Sequence, residues 1–298
     1  MMLIAGTVPI EDMPLTMGRL SAEDGSLIVD GQRISCTQGT GAMLSAALAT
    51  TDYLKLEAPQ ALIAGDIGEG KGSREIYDYL TKNVAELAPQ VLALHYWLPN
   101  MAQTRQLCAA IEKCARRPVM IADAASMYSA KAAGLAPAFD IFTPDAAELA
   151  FLADPDATHP AYIRFMVNDN VKQIPELIKR AYQYQNAASL LLVKGAIDCV
   201  VSKGKIEAEI TEPDVPAMEA IGGTGDTITG MISAFVYAGL EPREAAIIAA
   251  RANRMAGKFA KATPATKVGQ VIARFPAVFK EYLCRWSGVC ATGGVEYD

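Results

Sequence analysis

Positive charge is in short supply. Lys and Arg total 27 against 33 Asp and Glu, a net charge of −6. A surface of that sign repels polyanions, which excludes nucleic acid and an anionic membrane as main partners. An anionic small ligand then needs a local cation, and Lys194 is the candidate. Histidine is scarcer: His95 and His159 are the whole supply, and neither has a metal-ligand companion at a useful spacing. No zinc site and no Ser-His-Asp system is expected. The six cysteines (Cys36, Cys108, Cys114, Cys199, Cys284 and Cys290) show no Cys-x-x-Cys spacing, so reduced thiols in a cytoplasmic protein are expected. No apolar run reaches the length of a membrane span. The opening Met-Met-Leu-Ile-Ala-Gly lacks a basic stretch and a long apolar core, and reads as no signal peptide. No internal repeat or low-complexity tract stands out.

What is present is apolar residue in quantity. The 298 residues are 51% hydrophobic and 20% charged, enough for one large α/β domain with a sizeable core or for two small ones. Short apolar runs alternate with helical patterns. Strands are expected at Met2 to Val8, Gln60 to Gly65, Gln90 to Tyr96, Pro118 to Asp123, Phe139 to Phe142 and Ser189 to Val193. Helices are expected at Ala42 to Leu56, Ser73 to Leu87, Met101 to Arg116, Ile174 to Ala188 and Pro242 to Ala262, with more helix to Tyr282. Residues 9 to 26 read as loop. Hairpins are expected around Asp30-Gly31 and Lys203-Gly204. Residues 153 to 171 read as an insertion or lid. This alternation means a largely parallel sheet covered on both faces. We expect one α/β domain over 1–282 and a tail over 283–298.

The chain is organised around Ala220-Ile221-Gly222-Gly223-Thr224-Gly225-Asp226-Thr227-Ile228-Thr229-Gly230. Gly222, Gly223 and Gly225 permit a turn in which successive N–H groups face one space. A helix beginning near Thr224 adds its free N–H groups and its dipole, which favour an anion. Asp226 sits beside that anion site. A carboxylate next to a phosphate cradle is unfavourable unless it has a task, and the natural task is to take a proton from an attacking hydroxyl. Ile228, Met231, Ile232, Phe235 and Val236 then follow at helical spacing, so a buried helix is aimed at the cradle.

Gly222 to Gly230 resembles the anion-hole signature of the ribokinase-like superfamily, and within it the nucleotide-dependent NAD(P)H-hydrate dehydratases. Two further segments agree in order and distance. Phe142-Thr143-Pro144-Asp145-Ala146-Ala147-Glu148-Leu149 resembles the family's Thr-Pro-His-x-x-Glu segment, and Leu191-Leu192-Val193-Lys194-Gly195 its strand ending in Lys-Gly. The resemblance implies a three-layer α/β/α fold with a mostly parallel central sheet. It implies a cytoplasmic, homo-oligomeric enzyme that uses ATP or ADP with Mg2+ on a small-molecule substrate. Asp226 would be the base. Lys194, Gly195, Gly222, Gly223, Thr224 and Gly225 would hold the nucleotide phosphates. Glu148 would order magnesium or water around them, with no direct protein cage for the metal. Gly39, Thr40, Gly41 and Asp145 would line the substrate site. Asp123 joins them on a different ground: it ends an expected strand, and in parallel α/β sheets ligands gather at the carboxyl ends of strands. Gly39-Thr40-Gly41 reads equally well as a tight entry to a packed helix, and Asp123 as a capping carboxylate.

Two departures from the family bear on substrate. His95-Tyr96-Trp97-Leu98-Pro99-Asn100 stands where the family has a Gly-Pro-Gly-Leu-Gly turn, and Asp145 replaces its histidine. Trp97 reads either as a structural ring or as a stacking surface. The alternatives are a kinase acting on a sugar or heterocyclic alcohol, and a non-catalytic nucleotide-binding homologue. One competing motif also exists. Gly65 to Lys71 fits Gly-x-x-x-x-Gly-Lys, half of a P-loop, but Gly72 stands where Ser or Thr is needed. Asp66 and Glu69 would place two carboxylates inside a phosphate cradle. The loop is therefore expected to line a pocket at most.

Overall fold

A computed structural model describes residues 1–159 and 173–288. Its centre is Met2–Val8 (β1), apolar and buried along its whole length. Met2 and Ile4 enter the core on one side, and Leu3 and Ala5 the core on the other. A strand buried on both faces needs such a continuous apolar run. The other strands are Thr16–Glu23 (β2), Ser26–Val29 (β3), Gln32–Ser35 (β4), Gln60–Gly65 (β5), Val91–His95 (β6), Val119–Asp123 (β7), Ile141–Phe142 (β8), Leu190–Val193 (β9), Asp198–Ser202 (β10) and Lys205–Ile210 (β11). They form one sheet in the order β11-β10-β9-β8-β7-β6-β1-β5-β2-β3-β4. Strands β5, β1, β6, β7, β8 and β9 are parallel, and both flanks are antiparallel.

Helices Lys71–Leu87 (α2), Met101–Ile111 (α3), Ala125–Ala132 (α4), Ala146–Ala153 (α5) and Ile174–Gln183 (α6) cover one face. Gly39–Leu54 (α1), Thr224–Tyr237 (α7) and Pro242–Phe259 (α8) cover the other, with a short helical run from Val268 on. The result is the expected three-layer α/β/α architecture. Helices α1 and α7 pack with little side chain between them. A Cβ on Gly230 would stand 2.2 Å from the Met43 carbonyl oxygen, so only glycine fits. That approach brings two helix N-termini to one place. Because β5 and β6 flank β1, the chain changes direction across the sheet there, and a crevice opens at the carboxyl ends of the strands.

Several elements differ from the sequence reading. Residues 9–26 are not all loop, since β2 occupies Thr16–Glu23. Helix α1 starts at Gly39, so Gly39-Thr40-Gly41 is its first turn and not its approach. Helix α3 ends at Ile111 and α6 at Gln183, before the expected Arg116 and Ala188. Helix α4 is additional. Helix α5 is additional too, and Asp145 is its N-cap, because the Asp145 side chain accepts from the Glu148 N–H. The expected lid falls largely outside the described residues. The C-terminal helical run goes on to Ser287. Cys36, Cys108, Cys114 and Cys199 are free thiols. Cys284 is disulfide-bonded, against the expectation of reduced cysteines throughout, a pairing that Cys-x-x-Cys spacing does not test.

Candidate active site

The site is assembled from strand ends. Parallel pairing sets His95 opposite Asp123, so the last residues of β6 and β7 stand side by side at the carboxyl edge. Strand β9 delivers Lys194 next to them, and Asp145 bridges to it. The chain leaves β6 and β7 through residues with left-handed φ, Tyr96 at 53° and Ala124 at 51°. Such backbone costs about 1–3 kcal/mol per residue and collects at functional sites. From the opposite layer comes the N-terminus of α7, carrying Asp226.

Asp226 is held at both oxygens. Its Oδ1 lies 3.0 Å from His95 Nε2, and its Oδ2 accepts from the Gly39 N–H at 2.7 Å. Burial pushes this carboxyl up. The His95 hydrogen bond and charge, the Lys194 ammonium and the Gly39 N–H outweigh burial and hold it below the ordinary carboxylate value. Asp226 is therefore ionised and fixed in plane.

Asp123 is the counter-ion of Lys194, whose Nζ lies 2.9 Å from Oδ1 and 3.1 Å from Oδ2. Thr229 donates to Oδ2 at 2.5 Å, and Thr229 in turn meets Thr143 at 2.9 Å. Burial would lower Lys194, but Asp123, Glu148 and Asp226 outweigh it and hold the ammonium above the ordinary lysine value. Glu148 closes a capping box with Asp145, accepting from its N–H at 2.9 Å, and accepts from the Tyr128 hydroxyl at 2.8 Å. Burial, then the Asp123 and Asp145 charges, push Glu148 up to about 8, against the pull of Lys194.

The glycine turn does two things. Gly223 has a φ of 95°, and a Cβ there would lie 3.0 Å from Gln38 Cα, so it seats the turn against the start of α1. Gly225 lies against Lys194, whose Nζ would be 3.4 Å from a Cβ. Helix α7 has no side-chain cap, so the Gly225 and Asp226 N–H groups are first-turn donors available to an anion. Thr224 is less available: its hydroxyl donates to the Met218 and Ile221 carbonyls, both at 3.0 Å. The Gly195 N–H is spent on Asp198 at 3.1 Å. Arg254 fixes that corner, with Nε 2.7 Å from Asp198 and its other nitrogens on the Gly195, Ala196 and Thr211 carbonyls.

Two cavities meet at Tyr96. One, of about 340 Å³, is lined by Asp123, Glu148, Lys194, Gly225, Asp226 and Asn253 among others. The other, of about 320 Å³, includes Thr7, Gln38, Gly39, Thr40 and Leu98 in its lining. Tyr96 lines both and divides them. Most residues singled out from sequence thus converge, Asp145 at the rim. Gly41 does not, because it packs under Ser35, whose carbonyl oxygen would be 2.3 Å from a Cβ. Trp97 is buried and stacks on Tyr77 at 4.4 Å, a structural ring.

The Gly65–Ser73 loop is closed to phosphate. Asp66 accepts from the N–H groups of Gly68, Gly70 and Ser73 and from the Ser73 hydroxyl. Three of the N–H donors a P-loop would offer are already taken. His95, by contrast, gains companions that its sequence neighbourhood does not supply, since ligand atoms of His95, Asp123 and Asp226 lie within 4.8 Å of one another. They do not form a free metal cage, because Lys194 and Thr229 occupy Asp123. Sequence reasoning gives Thr229 and Arg254 no role, and it takes His95 and Tyr96 only as a departure bearing on substrate. The signal for His95 was its place at a strand's carboxyl end, the same argument that selects Asp123.

A family model described as NAD(P)H-hydrate dehydratase, of the carbohydrate-kinase type, matches residues 35–273. The chain belongs to this family. An uncharacterised protein of Methanocaldococcus jannaschii is 36% identical over 242 residues, 81% of this chain and 100% of that protein. A bifunctional NAD(P)H-hydrate repair enzyme of Pyrobaculum aerophilum is 37% identical over 103 residues, 33% of this chain but 20% of that protein. Among solved structures, the ADP/ATP-dependent NAD(P)H-hydrate dehydratase from Bacillus subtilis, co-crystallised with ATP/Mg2+ and soaked with CoA, superposes with a TM-score of 0.52. It is 17% identical, over 94% of this chain and 92% of that one, which shows a shared fold. Among the described residues no helix is long and apolar enough to cross a membrane.

Proposed function

We propose that this family member is a nucleotide-dependent dehydratase of hydrated NADH or NADPH, working through a phosphorylated intermediate. The observation that carries the reading is Asp226, pinned at both oxygens beside the open first turn of α7 and the Lys194 ammonium. In the first step the substrate O–H bond breaks and its proton goes to Asp226. The oxygen forms a bond to the terminal phosphorus of ATP or ADP, and the P–O bond to the rest of the nucleotide breaks with its electron pair. In the second step the C–O bond breaks, phosphate leaves with that pair, and loss of a ring proton to water restores the dihydropyridine. The Gly225 and Asp226 N–H groups and Lys194 would hold the charge that develops on the transferred group. Lys194 and Asp123 are fixed in advance by each other, so little reorganisation is needed.

The residues do not make a magnesium cage of their own. Asp123 is engaged by Lys194 and Thr229, and both Glu148 oxygens are engaged by Asp145 and Tyr128. Magnesium is accordingly assigned to the incoming nucleotide, and no step is drawn through it.

The test follows absorbance of NADH or NADPH restored from its hydrate with ATP or ADP and magnesium. Restoration with one nucleotide and none without it is expected. No restoration with either, together with phosphate transfer to an alcohol in a panel, would move the protein to the small-molecule kinases. One feature favours that second reading: among the described residues, no Lys, Arg or His lines the cavity beyond Tyr96. Such a lining suits a neutral hydroxylated compound better than a dinucleotide pyrophosphate.

A further inference from the structure

Behind Asp226 a buried chain of polar contacts continues through His95 to Thr40 and Thr7. The Thr40 hydroxyl donates to the Thr7 carbonyl at 2.7 Å and lies 3.0 Å from His95 Nδ1. His95 Nε2 lies 3.0 Å from Asp226 Oδ1 and 3.9 Å from Asp123 Oδ2. The His95 side chain is 0% exposed. Gly6 makes room for Thr40 beside β6: a Cβ there would stand 2.8 Å from Thr40 Oγ1 and 2.7 Å from the His95 backbone carbonyl oxygen. The Tyr96 ring closes the outer side edge-on, 4.6 Å from the imidazole.

Hydrogen-bond arithmetic fixes the protons. Thr40 has one hydroxyl hydrogen, and it points at Thr7. Toward His95 Nδ1 the Thr40 oxygen can only accept, so Nδ1 carries a proton. Nε2 faces a carboxylate, which can also only accept. Charge balance agrees. The groups facing this point are Asp226 from α7, Asp123 from β7, Lys194 beyond β9 and the neutral Tyr96 phenol, with Glu148 outside them. With a doubly protonated His95 the inner four charges are two cations and two anions. Without that proton an unpaired carboxylate is left in a buried cluster, which is costly.

We propose that His95 is a positioning residue for the base: doubly protonated and locked by Thr40, it orients Asp226 and keeps it ionised. This rests on the reading of Asp226 as proton acceptor, so the test has an arm that does not depend on turnover. That arm uses full-length protein with 15N-labelled histidine at neutral pH. The chain has only two histidines, and His159→Gln assigns the signals. Two protonated ring nitrogens are expected for His95, and the Asp226→Asn variant should lose the Nε2 proton while keeping the one on Nδ1. An unprotonated ring nitrogen in the unmodified protein, or a ring unmoved by Asp226→Asn, overturns the proposal even if the enzyme is active. In the kinetic arm, His95→Gln should lower kcat about tenfold, less than the loss expected of the base itself, with KM for nucleotide within about twofold. The acid limb of the pH profile should move to higher pH, because Asp226 loses the partner that holds its carboxyl down. Unchanged kcat and an unmoved acid limb would overturn the positioning role. If no substrate turns over in any variant, the base assignment fails, and the spectrum still decides where the proton lies.

Discussion

Two glycine-rich loops lead into helices on opposite faces of the same sheet, and they meet opposite fates. In Gly65–Ser73 the aspartate turns inward, and Asp66 consumes three of the loop's N–H groups. In Gly222–Asp226 the aspartate turns away from its own helix: His95 and the Gly39 N–H of α1 hold it, and the first turn of α7 stays open. The difference lies in which donors the carboxylate finds first. Asp66 precedes its glycines and can curl back onto them, as Asx turns do. Asp226 follows its glycines, sits inside the helix, and points across to another element. A glycine motif that resembles a phosphate cradle is therefore a cradle only if no side chain has filled it.

The largest expected effect separates the two aspartates by chemistry. Asp226→Asn should fold normally and lose turnover by roughly two to four orders of magnitude, as removal of a general base does. Its nucleotide affinity should hold or improve, since a negative charge beside the phosphates is gone. Asp66→Asn should leave kcat within a few-fold. Steady-state kinetics of both variants check this. Near wild-type activity in Asp226→Asn alongside a collapse in Asp66→Asn would exchange the roles assigned to the two loops.

The next effect separates the two lysines by binding. A ligand that binds only the folded protein raises its melting temperature. ATP or ADP with magnesium at millimolar concentration should raise that of the unmodified protein and of Lys71→Ala. The rise should be largely lost in Lys194→Ala. The ligand-induced rise is the quantity to compare, because Lys194→Ala also strands Asp123, a buried carboxylate, and lowers stability by itself. Loss of the rise in Lys71→Ala with retention in Lys194→Ala would restore the P-loop reading. Stability should respond at the closed loop as well: Asp66→Ala removes four hydrogen bonds to one carboxylate and should cost about 2–3 kcal/mol by urea unfolding.

The sequence makes the open loop legible and leaves its surroundings dark, for reasons of range. The start of α7 at Thr224 and the strand Met2–Val8 are local patterns, a glycine cluster before an apolar helix and an unbroken apolar run. Strand β2 is hidden because only Thr16 and Leu20 of its eight residues are buried. Pairing with β5 and β3 makes it a strand, not its own apolar pattern. Helix α4 is short and weakly patterned. The role of His95 is passed over because its partners lie 55 and 131 positions away. No spacing rule spans such distances, whereas the order of strands in the sheet does. The filling of the Gly65–Ser73 cradle was legible in principle, since Asp66 and Glu69 already argue against phosphate there.

The smallest expected effect is in the pH dependence of stability, where Asp66 of the closed loop and Glu148 of the open site should have opposite signs. Burial raises Asp66, but the bonds from Ser73, Gly70 and Gly68 outweigh it and hold the folded carboxyl below its ordinary 3.8. Its contribution is then present above that value and is lost as pH falls below it. Glu148 runs the other way. Its folded value is raised from 4.5 to about 8, so its contribution is present below 4.5 and is lost as pH rises through about 8. Unfolding free energies from pH 3 to 9, the range that brackets both values, should therefore show Asp66→Asn flattening the acid fall and Glu148→Gln flattening a decline between about 4.5 and 8. If Glu148→Gln leaves that decline in place, Glu148 is ionised throughout, and Lys194 outweighs burial at the open site just as the loop donors do at the closed one. The two loops would then differ in which donors meet a carboxylate, and not in how its proton is held.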